Sequence, residues 1–402
     1  MIGWSGRRKT LTILAFILPT LLGVVVFSVY PFIFNVFISL TDRGRFHPNP
    51  DCSQPLWRIV EPSCWLSQTP RGIATPFSIH EPWYTNYVDL LGGLFQGPGI
   101  VSLLKIVITA IPLIGAWYLN NRFSKGLTRP VPGWVVWLGG LVLAVIVGVL
   151  VQTREAYDAL VASGDFIMVN ARTILYVLAC MPLFFTLGLS MAIILNNKFL
   201  RGVTFFRVVL IVPWAASTVA IMMSLVWQFF FRGNGTINQI LNIANISGPT
   251  YLNSDAWAFF VVVLVNLWYT YPFFMVTILG GLQSVPGELY EAAEMDGAGW
   301  WKQLMNITLP LLRPTVLPII VLSTLTTYKV DAVVWGITKG GPVKGAGIPG
   351  ATEFVMVHAY KQIFQTQAFG RMGAFAVILF IALFGATLYS LRVTRITKGA
   401  YE

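Results

Sequence analysis

The chain is poor in the residues on which soluble chemistry usually rests. Only 11% of its 402 residues are charged, well under the share of roughly a quarter found in ordinary soluble domains. That excludes a soluble globular domain of usual make-up. Three cysteines are too few for a disulfide scaffold. The three histidines, His47, His80 and His358, fall outside the apolar runs in no recognised ligand spacing, so neither a metal site nor a nucleophile constellation is expected. No stretch matches Gly, four residues, Gly-Lys-Ser/Thr, the loop that cradles nucleotide phosphates. The chain is therefore expected to hold no cofactor and to carry no catalytic residue.

What is present in excess is apolar. Hydrophobic residues make up 56% of the chain and the mean hydropathy is +0.71. They gather in runs at about 11–40, 99–119, 132–151, 168–195, 203–231, 255–282, 315–338 and 372–391. Each approaches or exceeds the ~20 residues that a spanning helix needs. The fold class that follows is all-α, a polytopic membrane bundle of about eight spanning helices.

The net charge of +11 sits in short groups at the ends of these runs, with no basic face, so the partner it implies is membrane lipid and not nucleic acid. Arg7, Arg8 and Lys9 precede the first run; Arg122, Lys125 and Arg129 follow the second; Lys198 and Arg201 follow the fourth; Arg392, Arg395 and Lys398 follow the last. Under the positive-inside rule these groups are cytoplasmic, which places both termini there. The first run has the basic flank of a signal peptide but continues too long and lacks a clear cleavage site, so it reads as a retained span.

The chain then divides into an N-terminus and first span (1–40), an external loop (41–98), a pair of spans (99–151) and a remaining body (152–402). No period marks 41–98 as helix or strand, so it reads as irregular. Whether Cys52 and Cys64, both in that loop, form a bridge or remain thiols is left open.

A charged island interrupts the body at 284–313. Pro286 suits a first helical turn, Glu288 and Glu291 complement a helix N-terminus, and Asp296-Gly297 closes that helix. A second short helix is expected from about Trp300 to Asn306, with Pro310 and Pro314 restricting the chain beyond it. Span counting places the island in the cytoplasm.

Two polar faces recur inside apolar runs. Asn266, Tyr269, Thr270 and Phe273 share one side of a helix, and Ser323, Thr326, Thr327 and Val330 have the same spacing. Amides and hydroxyls beside aromatic rings suit a sugar; they serve equally to satisfy hydrogen bonds between helices.

The pattern Glu291-Ala292-Ala293, Gly297, Ile307 and Leu309-Pro310 resembles the signature loop of the membrane subunits of binding-protein-dependent ATP-binding-cassette importers. Arg207 through Pro213-Trp214, Gly235-Thr236-Ile237-Asn238, Asn266-Leu267-Trp268, Pro272 and Thr338-Lys339-Gly340-Gly341-Pro342 are similar to the carbohydrate importers of maltose and oligosaccharide type. The likeness runs from about Phe166 to Lys398. It implies a six-helix permease core to which 99–151 adds an inserted pair, read as peripheral packing.

The resemblance also implies that Glu288, Glu291, Ala292, Ala293, Asp296, Gly297 and Ala298 couple to an ATPase. The implied partners are a second permease subunit, two ATPase subunits that hold ATP and magnesium, and an external sugar-binding protein, at a prokaryotic inner membrane. The two polar faces then line a sugar site, and the implied function is import of a di- or oligosaccharide. Alternatives are a permease for a polyol or glycerol phosphate, and an ion-coupled secondary transporter. Against the latter stand few intramembrane carboxylates and no inverted repeat. A transferase acting on lipid-linked sugar would need interfacial acidic residues, and the acidic cluster lies in the signature loop instead.

Overall fold

The computed structural model describes residues 7–53, 55–61, 64, 76–95, 97–124, 131–162, 164–197, 200–345 and 347–394. Lys125, Arg129, Lys198, Arg395 and Lys398, part of the charge pattern above, lie outside the described residues. Among the described residues, eight helices are long and apolar enough to cross a membrane, as the hydropathy pattern predicts. The chain forms two compact units, one of residues 1–96 and 360–382, the other of 97–359 and 383–402.

In the first unit, α1 (Arg7–Val24) passes through a π turn (Val25–Val29) into α2 (Tyr30–Ile38). Tyr30 N–H donates to Val25 O, and Pro31 follows at once. A proline ring clashes with the carbonyl four residues back in a regular helix, and the widened turn relieves that clash.

The following segment is more ordered than the irregular reading expects. It holds strand β1 (Asn49–Pro50), helix α3 (Pro55–Val60), strand β2 (Pro76–Phe77), which pairs in parallel with β1, and helix α4 (Thr85–Phe95). The missed helix α4 turns a polar residue inward: Asn86 Nδ2 donates to Ser39 O at 2.9 Å and Thr41 O at 2.8 Å, satisfying carbonyls where α2 ends. Cys52 and Cys64 form a disulfide, which closes a short loop around Trp57, fully buried against Phe77 and Ile38.

The second unit begins with α5 (Gly97–Ser124) and α6 (Gly133–Leu150), followed by α7 (Thr153–Ala162). A Cβ on Gly140 would lie 2.4 Å from that of Ala116, so α5 and α6 meet through small residues, as spanning helices commonly do. Thr109 and Thr153 hydroxyls hydrogen-bond at 2.6 Å across the same layer.

The core is built by α8 (Asp165–Leu195), then α9 (Val203–Ala215), a 3-10 turn (Ala216–Val219), α10 (Ala220–Phe231), α11 (Thr236–Ile243) and α12 (Asp255–Gln283). α12 is the most buried span, with 56% of its apolar window inside, against none for the first span. Gly188 of α8 admits it: a Cβ there would stand 2.5 Å from Phe274 Cβ.

Next come α13 (Glu288–Met295), α14 (Trp300–Gln303), a π turn (Leu304–Thr308) and α15 (Leu309–Tyr328). The expected boundaries are corrected here. Trp300 to Tyr328 is one helical run, where a helix ending near Asn306 and a span over 315–338 were expected. Leu309 N–H donates to Leu304 O, so the π turn again precedes a proline, Pro310. The run stops at Tyr328, and Asp331 Oδ1 accepts from Ala332 N–H at 2.6 Å to start α16 (Ala332–Ile337). Val330, expected on the face of Ser323, Thr326 and Thr327, therefore lies beyond the helix end. α17 (Val355–Phe364) and α18 (Phe369–Thr394) complete the described chain.

Candidate functional site

The charged island folds as expected at its first helix. Asp296 N–H donates to Ala292 O, Gly297 N–H to Glu294 O at 2.9 Å and Ala298 N–H to Ala293 O at 2.8 Å. The last two bonds are the paired closure of a Schellman motif, which needs a left-handed residue at its turn, and Gly297 supplies φ of +72°. Glu288 and Glu291 occupy the first turn of α13, where negative charge is favourable.

The first helix of the element closes its backbone bonds internally and leaves most of its side chains exposed. Glu288, Glu291, Ala292, Asp296 and Gly297 are exposed; Ala293 and Ala298 are half-buried. Beside them stand three large apolar side chains that residue reasoning did not assign a role, Met295 (89% exposed), Trp300 (61%) and Trp301 (60%). Acidic and large apolar groups thus lie together on one exposed element. The paired tryptophans after Gly299 were the signal in the sequence.

Two side-chain bonds tie the island to the span that follows. Tyr290 and Thr308 hydroxyls lie 3.0 Å apart, and Gln303 Nε2 donates to Ala298 O at 3.1 Å. Between this element and the ends of α8 and α12 lies a cavity of about 400 Å³, lined by Ile193, Asn196 and Leu282 on one side and Tyr290, Glu294 and Trp300 on the other. The element is thus held by its two hydrogen bonds beside this cavity.

The mid-helix polar faces are differently placed. A Cβ on Gly281 of α12 would meet Leu312 Cδ2 of α15 at 2.7 Å, so the end of α12 and the start of α15 pack closely at that point. From that contact Asn266 and Thr327 are each 15 residues away, ~22 Å of helix at ~1.5 Å of rise per residue. The two faces therefore lie at a like distance along their helices from that contact.

Most of these residues are occupied within the chain. Asn266 is buried, with Nδ2 directed at Cys180 Sγ of α8 at 3.9 Å, and Thr270 Oγ1 donates to Asn266 Oδ1 at 3.4 Å. Tyr269 is buried and its hydroxyl donates to Ala220 O at 3.1 Å; Phe273 stacks with Trp214 of α9 at 6.4 Å between ring centres. Ser323 and Thr327 are buried, whereas Thr326 is exposed and donates back to Leu322 O and Ser323 O. Lys329 and Asp331 are both exposed beyond α15, with Asp331 engaged as a helix cap.

Residues 171–397, more than half of the chain, match the family model for the inner membrane component of binding-protein-dependent transport systems. The chain belongs to this family. The matched region begins inside α8 and leaves α5 and α6 outside it.

This family member is 33% identical over 251 residues to a probable ABC transporter permease of Brucella suis, covering 60% of this chain and 84% of that one. It is 32% identical over 213 residues to the permease of a trehalose/maltose transport system from Thermococcus litoralis, covering 53% and 69%. A sulfoquinovosyl glycerol permease of Agrobacterium fabrum is 29% identical over 318 residues, covering 78% and 94%. The chain is a multi-pass membrane permease, the transport component of a binding-protein-dependent importer.

Proposed function

We propose that this permease passes a di- or oligosaccharide inward, driven by ATP that is hydrolysed on separate subunits. The observation that carries the proposal is the element from Glu288 to Thr308, whose backbone closes on itself at Gly297 and whose acidic and apolar side chains face outward. Such a surface has everything needed to seat on a partner and nothing with which to cleave a nucleotide. ATP and magnesium belong, in this reading, to two ATPase subunits on which the Glu288–Ala298 helix docks. An external binding protein delivers the sugar to a cavity shared with a second permease.

Both termini, and the docking element, are on the cytoplasmic side. Arg122 and Arg201, at the ends of alternate spans, support this orientation. Within the membrane, Asn266, Tyr269, Thr270 and Phe273 on α12 and Ser323, Thr326 and Thr327 on α15, with Val330 just beyond it, offer the amides, hydroxyls and rings that a sugar requires. A coupling device needs an element with two arrangements that both partners bias, and the cavity under Tyr290 gives this one room to move. The relatives named for disaccharide and glycoside transport support the substrate class.

Uptake by the co-purified complex in proteoliposomes tests the reading. Accumulation of labelled maltodextrins that requires internal binding-cassette turnover, ATP and the binding protein is the expected result. Accumulation sustained by a proton or sodium gradient without ATP would overturn it.

A further inference from the structure

In the first unit a cavity of about 480 Å³ is lined by four cationic or potentially cationic side chains, Arg43, Arg45, His80 and Arg371. One of them is already committed. Arg43 pairs with Glu61 at 3.2 Å and sits among the rings of Phe34, Phe77 and Phe369, 5.0–6.0 Å from their centres. Asp42, the carboxylate in the lining, accepts from Ser78 N–H at 2.7 Å and faces His47 at 3.6 Å.

Arg45 and Arg371 have no such compensation. Among the described residues, no carboxylate lies within ion-pair distance of either. Among the described residues, Arg371 Nε is moreover buried without a hydrogen-bond acceptor. A buried charged donor is normally paired, because leaving it unpaired forfeits its hydration for nothing. The acceptor that completes this site is therefore sought outside the described residues, and the two guanidinium groups favour an anionic one.

Depth in the membrane narrows the choice. α2 ends at Ile38, three residues before the lining begins, and Arg371 is the third residue of α18, which starts at Phe369. Both spans meet water at this level. His80 N–H donates to Leu40 O there, and Trp83, Tyr84 and Phe46 are exposed beside it, the amphipathic and aromatic residues typical of a membrane interface. The anion that is concentrated at this depth is the phosphate of phospholipid headgroups.

We propose that this cavity holds the phosphate of an anionic phospholipid, with Arg371 as the central fork and Arg45 and His80 closing around it. A guanidinium presents parallel N–H donors matched to phosphate oxygens, and two of them favour a headgroup of net negative charge over a zwitterionic one. The proposal does not depend on what the permease carries or on which face of the membrane this rim occupies.

The test uses the full chain with its partner subunits, reconstituted in phosphatidylcholine vesicles containing phosphatidylglycerol, then stripped in detergent and counted by native mass spectrometry. Wild type is expected to retain phosphatidylglycerol selectively. Arg371→Gln should weaken retention roughly tenfold or more, as expected for a lost charge-assisted contact. Arg371→Lys, which keeps the charge without the fork, should fall between. Arg201→Gln, just before α9 of the second unit, should retain the lipid as wild type does.

Unchanged elution and an intact Cys52–Cys64 bridge establish folding, and Arg45→Gln carries the test if Arg371→Gln does not fold. Retention by Arg371→Gln equal to wild type would overturn the proposal. So would displacement of the lipid by inorganic phosphate at equal concentration, which would make the site one for free anions, or selective binding of an acidic soluble peptide with no lipid retained.

Discussion

Two polar regions of the second unit, the rim element at Glu288–Thr308 and the mid-helix faces of α12 and α15, solve the same problem in opposite ways. At the rim the backbone closes internally through Gly297, and the side chains are left to whatever docks there. In the mid-helix faces the side chains themselves are spent on neighbours in the chain, Asn266 on Cys180 and Tyr269 on Ala220. A rim in water tolerates free polar side chains, while at bilayer depth each polar group needs a partner. Under the proposed function, the rim needs no rearrangement of its own side chains to bind, whereas the interior faces would become a lining when helices separate or when a second subunit adds a wall.

The largest effect is expected at Gly297. A non-glycine residue held at its φ of +72° costs about 1–2 kcal/mol. Nothing lies within 4 Å of a Cβ there, so a substituent projects freely onto the docking face. Gly297→Trp should leave insertion and span packing intact and abolish sugar-stimulated ATP hydrolysis in the assembled complex. Coupled hydrolysis at the wild-type rate would remove the element from the coupling path.

Asn266→Leu comes next and tests the interior side of the comparison. Its two contacts are long, 3.9 Å to Cys180 Sγ and 3.4 Å from Thr270 Oγ1, so their loss should cost no more than ~1 kcal/mol of stability. A fall in uptake of roughly tenfold, with the thermal midpoint of the complex nearly unchanged, is expected if the amide meets substrate. A lowered midpoint with normal uptake per folded complex would assign Asn266 to packing alone.

How much of this was legible beforehand follows from how local each feature is. The spans were legible because a membrane demands ~20 apolar residues whatever their neighbours. The closure at Gly297 was legible because a Schellman turn is written within six residues. The continuation from Trp300 through Pro310 was not, since a proline reads as a break and the π turn that absorbs it has no marked sequence signal. α4 was hidden by Asn86, a polar residue facing inward to serve carbonyls 45 and 47 residues away. The spacing of the two polar faces was visible, but Cys180, 86 residues from Asn266, as its partner was not.

Tyr290→Phe should have a smaller effect, because it removes one hydroxyl pairing at 3.0 Å and leaves the ring in place. Loss of one such hydrogen bond is worth about 1 kcal/mol. If that bond fixes α13 against the start of α15, the affinity of the permease for its ATPase should fall roughly fivefold, measured by titration of the ATPase onto reconstituted permease. An unchanged affinity would mean that Gln303 and its 3.1 Å bond to Ala298 O hold the element without help.

The finest test separates two neighbours on α15. Thr327 is buried within the chain, whereas Thr326 is exposed and its hydroxyl is satisfied by the carbonyls of Leu322 and Ser323. A hydroxyl that already has its acceptor can still accept a bond from a sugar hydroxyl without leaving the helix. If the substrate cavity is completed by a second permease, Thr326 has surface to offer it and Thr327 acts only after the helices part. Thr326→Val should then raise the half-saturating sugar concentration a few-fold at constant maximal rate, the loss of a single bond to substrate. Thr327→Val, isosteric and buried, should instead lower the maximal rate with little change in half-saturation, because it alters the arrangement in which the helices separate. The reverse pattern would place the cavity inside this chain, and equal silence at both positions would remove α15 from the site.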